Sequence, residues 1–248
     1  GVLTNINGTR NIADCCCASG VSAMVLISTD KAVNPTNVMG ASKRIAETYC
    51  QALDLMESTK TRFVTVRFGN VLGSTGSVVP LFQRQLANGG PLTVTHPDMK
   101  RYFMTVREAV ELVLEATVLG EKQDRAAGRV YVLDMGKPVK IIDLARQMIL
   151  LAGLQPDKDI KIEFTGPRPG EKLFEEILHD SEPPETTEYA GIMLAAPRTI
   201  DLETLTTQID GITAAANTGD IDEIIALIRA YVPEFQPEAG GPIRAVVS

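Results

Sequence analysis

Apolar and polar positions along the chain fall into two periods that alternate with each other. Ala23–Ile27 is a short apolar run with β-branched content that follows Gly20, and it reads as a strand covered on both faces of a parallel sheet. Asn34-Pro35 then imposes an extended or turned backbone, and from 41 to 55 the apolar residues Ile45, Tyr49, Ala52 and Leu53 recur at helical spacing. The pattern continues with a strand over 62–68, a helix over 79–87, a short strand over 91–95, a helix over 106–119, a strand at Val130–Leu133 and a helix over 141–152. Such alternation predicts an α/β fold, a parallel sheet with helices on its faces. Segments 160–164 and 175–178 read as a smaller subdomain, and the Pro and Glu content of 181–185 as a linker. Ile221–Tyr231 is an amphipathic helix with Ile221, Ile224, Ile225 and Ile228 on one face, which packs either on the domain or on a second subunit. The Pro/Gly-rich tail from Pro233 is expected to be loose.

Composition narrows the classes of partner. A net charge of −7 argues against nucleic acid, which rewards clustered Lys and Arg. No apolar run approaches the roughly 18 residues of a membrane span, and no basic-then-apolar leader opens the chain. Cys15, Cys16 and Cys17 are adjacent on a helix-like stretch, so their side chains diverge instead of converging on a metal; free thiols in a reducing compartment are expected. His96 and His179 are the only histidines, too few for a histidine-rich metal site, and no metal is expected.

The chemistry is concentrated just past the first strand. Ser28-Thr29-Asp30-Lys31 leaves the carboxyl end of Ala23–Ile27, where ligands of open α/β sheets bind, and Lys43 follows in the first turns of the next helix. By themselves these charges fit a solvated turn as well as a site. Further on, the loop Gly73-Ser74-Thr75-Gly76-Ser77-Val78 and the helix start after it offer N–H groups and hydroxyls to an anion. Arg101 and Arg168 read either as guanidinium clamps on phosphate or as surface charges, and Glu171-Lys172 either as part of a site or as a helix-start ion pair. A Gly-rich dinucleotide turn with an acidic residue about 20 positions later does not occur. The Gly69 to Gly76 cluster lacks that spacing.

The ordered series Ser28-Thr29-Asp30-Lys31, Ala32-Val33-Asn34-Pro35, Met39 and Lys43 resembles the active-site strand and helix of the extended short-chain dehydrogenase/reductase superfamily. It is most similar to the nucleotide-sugar 4,6-dehydratases of capsular polysaccharide and glycan biosynthesis. Asn5-Ile6-Asn7-Gly8-Thr9-Arg10-Asn11, Arg67-Phe68-Gly69-Asn70-Val71-Leu72-Gly73-Ser74 and Arg168-Pro169-Gly170-Glu171-Lys172-Leu173 extend the likeness from Asn5 to about Leu178. The resemblance implies a doubly wound, Rossmann-like parallel-sheet fragment that lacks its first βαβ units, with a small substrate-binding subdomain. In domain terms, 1–180 is then the carboxyl-terminal part of an NAD-dependent domain and 181–248 a linker, helix and tail. NAD is implied in preference to NADP, with a UDP-sugar, UDP-N-acetylglucosamine above all, as substrate.

In that chemistry NAD takes a hydride from C4, a base removes the C5 proton, water leaves from C6 and the hydride returns to C6. The resemblance assigns Lys31 as the C5 base and Asp30 as the acid for the leaving hydroxyl. A lysine serving as base needs its pKa lowered, by burial and a second lysine nearby, and Asp30 needs its own raised by desolvation. Thr29 is matched to the sugar C4 oxygen, and Lys43 to the nicotinamide ribose. Ser28, Met39, Phe68 and Asn5 complete the cofactor side. Asn70, Val71, Ser77, Val78, Arg101, Arg168 and Glu171 form the substrate side. Met39 departs from the superfamily's usual Tyr, and a thioether has no proton to exchange; since a Met-bearing branch is active, Asp30, or Thr29 with water, is expected to take over. Members of that branch carry transmembrane helices upstream, which implies the cytoplasmic face of a bacterial inner membrane and a homo-oligomer for the full-length protein. A UDP-sugar epimerase of the same fold and a silent nucleotide-sugar-binding fragment are the competing readings.

Overall fold

A computed structural model describes residues 1–74, 76–122, 128–180 and 182–237; Thr75 of the anion-binding loop, Ser181 and the tail beyond 237 lie outside the described residues. After one π-helical turn at Leu3–Asn7, the chain forms α1 (Gly8–Ser19), β1 (Ala23–Ile27), α2 (Val38–Leu55), β2 (Arg62–Arg67) and β3 (Asn70–Val71). Next come α3 (Val78–Ala87), β4 (Leu92–Val94), β5 (Lys100–Arg101), β6 (Phe103–Met104) and α4 (Val106–Lys122). They are followed by β7 (Val130–Leu133), β8 (Val139–Lys140), α5 (Ile141–Leu151) and β9 (Ile162–Phe164). The described chain closes with β10 (Glu185–Thr186), β11 (Ile192–Ala195), α6 (Leu202–Thr218) and α7 (Ile221–Tyr231).

The main sheet has the order β1-β2-β7-β11-β10. β1, β2 and β7 run parallel, as their apolar runs predict, while β11 and β10 are added antiparallel. One face is covered by α1, α2, α6 and α7 around Ile45, Tyr49, Leu53, Leu205, Ile209 and Ile228. The other is covered by α4 over Val64, Val66, Tyr131 and Leu133. The sheet is thus wound on both faces, the Rossmann-like α/β architecture expected.

Several elements differ from expectation. The 91–95 strand does not join the main sheet: β4 pairs with β9 in a separate two-stranded sheet over a core of Phe82, Leu92, Ile149 and Ile160. Apolar runs show that a strand is buried, not which partner buries it. α2 starts three residues earlier than its apolar spacing indicates, because the Asn37 side chain caps it by accepting the Gly40 N–H at 2.9 Å. Segment 175–178 forms no regular element. Within the 181–185 stretch expected as a linker, Glu182 is buried against Arg67, and β11 and α6 follow in the same sheet and core as the residues before it. α7 packs on the domain, against the core under α2, and the first residues of the expected loose tail pack with it. Among the described residues no helix is long and apolar enough to cross a membrane. The four thiols are free, with Cys50 buried.

Candidate active site

The carboxyl end of β1 opens into a cleft of about 1210 Å³ between the main sheet and the two-stranded sheets. Thr29 continues the strand in extended backbone, and a 3₁₀ turn at Asp30–Ala32 swings Lys31 into the cleft. That turn is backed by Gly40 at the start of α2, where an added Cβ would be driven into the Lys31 carbonyl oxygen. Asp30 is wholly buried. Its Oδ1 accepts hydrogen bonds from the Thr29 hydroxyl and the Lys31 ammonium, both at 2.9 Å, while Oδ2 has no partner among the described residues. Oδ2 faces Gly69, where a Cβ would come within 2.9 Å, so the glycine is required for space.

Lys31 is surrounded by acceptors, not by the second lysine expected. Beyond Asp30, Asn70 Oδ1 lies 3.5 Å and Glu175 Oε1 3.9 Å from its Nζ. The amine of Lys43 is instead bonded to the Ile27 carbonyl at 3.1 Å. Glu175 entered the sequence reading only as the start of a short segment, yet it is buried in the cleft wall between Lys31 and Arg101, 3.7 Å from the latter. Burial pushes its carboxyl above the ordinary 4.5, Lys31 pulls against that shift, and the Asp30 charge adds to it. A native state that binds this proton more tightly than the unfolded chain loses stability as pH rises above 4.5. Glu175→Gln removes that slope: its urea midpoint should gain on the parent's between about pH 4 and about pH 7. A gap independent of pH would show that Glu175 binds its proton equally well in the folded and unfolded chains.

The remaining predicted residues separate into two groups. Asn5, Met39, Asn70, Ser77, Val78, Arg101, Arg168 and Glu171 line the same cleft as Lys31. Met39 is exposed on it, in the first turn of α2, and the Asn5 amide donates to Ser42 Oγ at 2.9 Å. The guanidinium of Arg101 is occupied: it donates to the Lys100 and Leu173 carbonyls and pairs with Glu171 at 3.4 Å and with Glu175. Arg168, by contrast, is exposed on the cleft wall, and its backbone N–H donates to Glu171. Ser77 caps no N–H of α3, and its buried hydroxyl has no partner among the described residues. Outside the cleft, the Ser28 hydroxyl is committed to Glu47 at 2.6 Å, Phe68 packs in the core beneath α4, and Val71 lies in β3 against β6.

Sequence reasoning missed the buried charges behind β1. Arg67 grips Glu47 with two hydrogen bonds, at 2.8 and 2.7 Å, and reaches Glu182 at 2.9 Å. Arg44 lies 3.4 Å from Glu47. The available signal was Glu47 in α2, a carboxylate three residues after an arginine.

For NAD, Met39 and Asn5 lie on the cleft wall, while Lys43, near the carboxyl end of β1, has its amine on the Ile27 carbonyl.

A family model described as polysaccharide biosynthesis protein matches residues 1–197. The capsular polysaccharide biosynthesis protein CapD of Staphylococcus aureus is 58% identical over 181 residues, covering 73% of this chain but only 29% of CapD. The chain therefore spans less than a third of that relative. The X-ray structure of Pen from Bacillus thuringiensis superposes with a TM-score of 0.68 at 33% identity, over 84% of this chain and 68% of Pen. The dTDP-glucose 4,6-dehydratase DesIV of Streptomyces venezuelae, solved with NAD, shares the fold at a TM-score of 0.59 and 20% identity, over 71% of this chain and 57% of DesIV.

Proposed function

The chain belongs to the polysaccharide biosynthesis protein family, and from that premise we propose that it carries the substrate half of an NAD-dependent 4,6-dehydratase of UDP-sugars, with UDP-N-acetylglucosamine as substrate. The observation that carries this reading is the Asp30-Lys31 pair: an amine projecting into the cleft, held at 2.9 Å by a carboxylate with no exposed surface. Loss of water needs both a base and an acid at adjacent carbons. Epimerisation at C4 does not.

The C4 hydroxyl proton leaves through the Thr29 hydroxyl and water as hydride departs; the Lys31 ammonium passes one proton to Asp30 Oδ1, and the neutral amine so formed takes the C5 proton. Asp30 is enclosed, so a proton destined for the C6 hydroxyl passes through the groups bonded to Oδ1, the Thr29 hydroxyl or the Lys31 ammonium. This refines the direct role first expected of Asp30. The Ser77 hydroxyl and the free N–H groups opening α3 receive the diphosphate, and exposed Arg168 neutralises it; Arg101 acts from behind by fixing Glu171 and Glu175. NAD, when bound, accepts and returns the hydride, and Lys43 and Met39 would hold its nicotinamide end.

The test uses a protein in which this chain is joined to a Gly-rich dinucleotide-binding half, incubated with UDP-N-acetylglucosamine in deuterated water. The expected product is a 4-keto-6-deoxy sugar nucleotide with solvent deuterium at C5. An inverted sugar without loss of water would establish the epimerase, and recovery of unchanged, unlabelled sugar would overturn both.

A further inference from the structure

The residues after Tyr231 lie beyond the family match, which ends at 197, yet they reach the site. Glu234 Oε1 is 3.5 Å from Arg44 Nε on α2, Phe235 is buried in the core that Val38 also packs against, and the Gln236 N–H donates to the Pro35 carbonyl at 3.0 Å. Phe235 and Pro237 form part of the cleft wall. Of these contacts, the Gln236 bond to Pro35 falls on the turn that leads from Lys31 to Met39, and the Glu234 pair falls on α2 just after it. That turn includes Asn34 in left-handed backbone, φ 41°, a conformation that persists only where its surroundings impose it.

The opposite side of the same turn is held by the late motif. Thr36 Oγ1 and Asn37 Nδ2 donate to the Gly170 carbonyl at 2.8 and 3.2 Å, and Lys172 Nζ donates to the Val33 carbonyl at 3.0 Å. The active-site turn is thus clamped from two sides, one inside the matched family region and one outside it. We propose that Glu234–Pro237 is a positioning strap of the sugar-nucleotide site, fixing the turn that carries Met39 and completing the cleft wall, so that this segment sets affinity for the UDP-sugar. The ligand in this proposal rests on the function proposed above; the clamp on the turn does not.

Gln236→Pro, in the whole 248-residue chain, deletes one N–H from an exposed residue, whereas Gln236→Ala keeps it. In native-state hydrogen exchange, amides of residues 36–41 should exchange about tenfold faster in Gln236→Pro and at the parent rate in Gln236→Ala, with 64–66 of β2 unchanged. Phe235→Ala should move the same amides further. Titration with UDP-N-acetylglucosamine, followed by NMR, should show weaker binding in Gln236→Pro and Phe235→Ala but not in Gln236→Ala. Parent-like exchange of the turn in both disruptive variants overturns the strap, and faster exchange with unchanged affinity reduces it to structural packing. A parent chain that fails to bind the UDP-sugar counts against the proposed function, while the exchange rates still decide the clamp.

Discussion

Lys31→Ala, in a protein where this chain is joined to a Gly-rich dinucleotide-binding half, is expected to slow dehydration of UDP-N-acetylglucosamine about 10²- to 10⁴-fold, the contribution typical of a positioned general base. Deuterium incorporation at C5 should fall in parallel, because the same group makes and breaks that bond to hydrogen. The variant also strips Asp30 Oδ1 of one of its two donors, leaving the Thr29 hydroxyl alone on a fully buried carboxylate. That costs about 1–3 kcal/mol of stability, so rates belong at a temperature where near-UV circular dichroism shows the fold intact. Lys31→Arg separates the two effects: its guanidinium can still satisfy Asp30 yet does not give up its proton at neutral pH, so stability should return without activity. Dehydration that survives in Lys31→Ala would remove the amine from the mechanism.

The strands and helices that the chain declares locally are also where its candidate site was legible. Ala23–Ile27 and the polar run after it are contiguous, so the apolar run places the strand and the strand places Thr29, Asp30 and Lys31 at its carboxyl end. Residues that enter from a distance were not legible. Glu175 comes to Lys31 across 144 positions through a segment with no period of its own, and Gln236 reaches Pro35 across 201. The second half of the chain carried more signal than its Pro and Glu content suggested. Ile192-Met193-Leu194-Ala195 is an apolar run after a glycine, and Leu202, Leu205, Ile209 and Ile212 follow helical spacing behind Asp201, whose side chain caps α6 by accepting the Thr204 N–H. The threonines among them lower helix propensity, but burial against α2 outweighs it. The separate pairing of β4 with β9 had no local signal, because strand partners are chosen by topology.

Arg67→Ala is expected to be the most destabilising single change among the charged residues, by about 3–5 kcal/mol, as is usual when one partner of a buried ion pair is removed. Arg67 and Glu47 are both essentially without exposed surface, and Glu182 is nearly so; the alanine leaves two carboxylates in the interior, both still within the field of Arg44 but stripped of their direct guanidinium hydrogen bonds to Arg67. Burial alone pushes the Glu47 carboxyl up, but Arg67, through its charge and paired hydrogen bonds, together with Arg44 and the Ser28 hydroxyl, holds it below the ordinary 4.5. In the parent the contribution of Glu47 is therefore present above pH 4.5 and lost as pH falls through its lower native value. In Arg67→Ala burial prevails, Glu47 binds its proton more readily than in the unfolded chain, and acid relieves the variant. The gap between parent and variant in urea midpoint should thus be widest near neutral pH and close in acid, whereas a loss due only to missing side-chain volume would not change with pH. Because the Ser28 hydroxyl donates to Glu47 at 2.6 Å immediately before Thr29, Asp30 and Lys31, a folded Arg67→Lys protein should retain the charge yet lose the two-point grip. Its site would then stand on a displaced Glu47, with turnover falling more than stability.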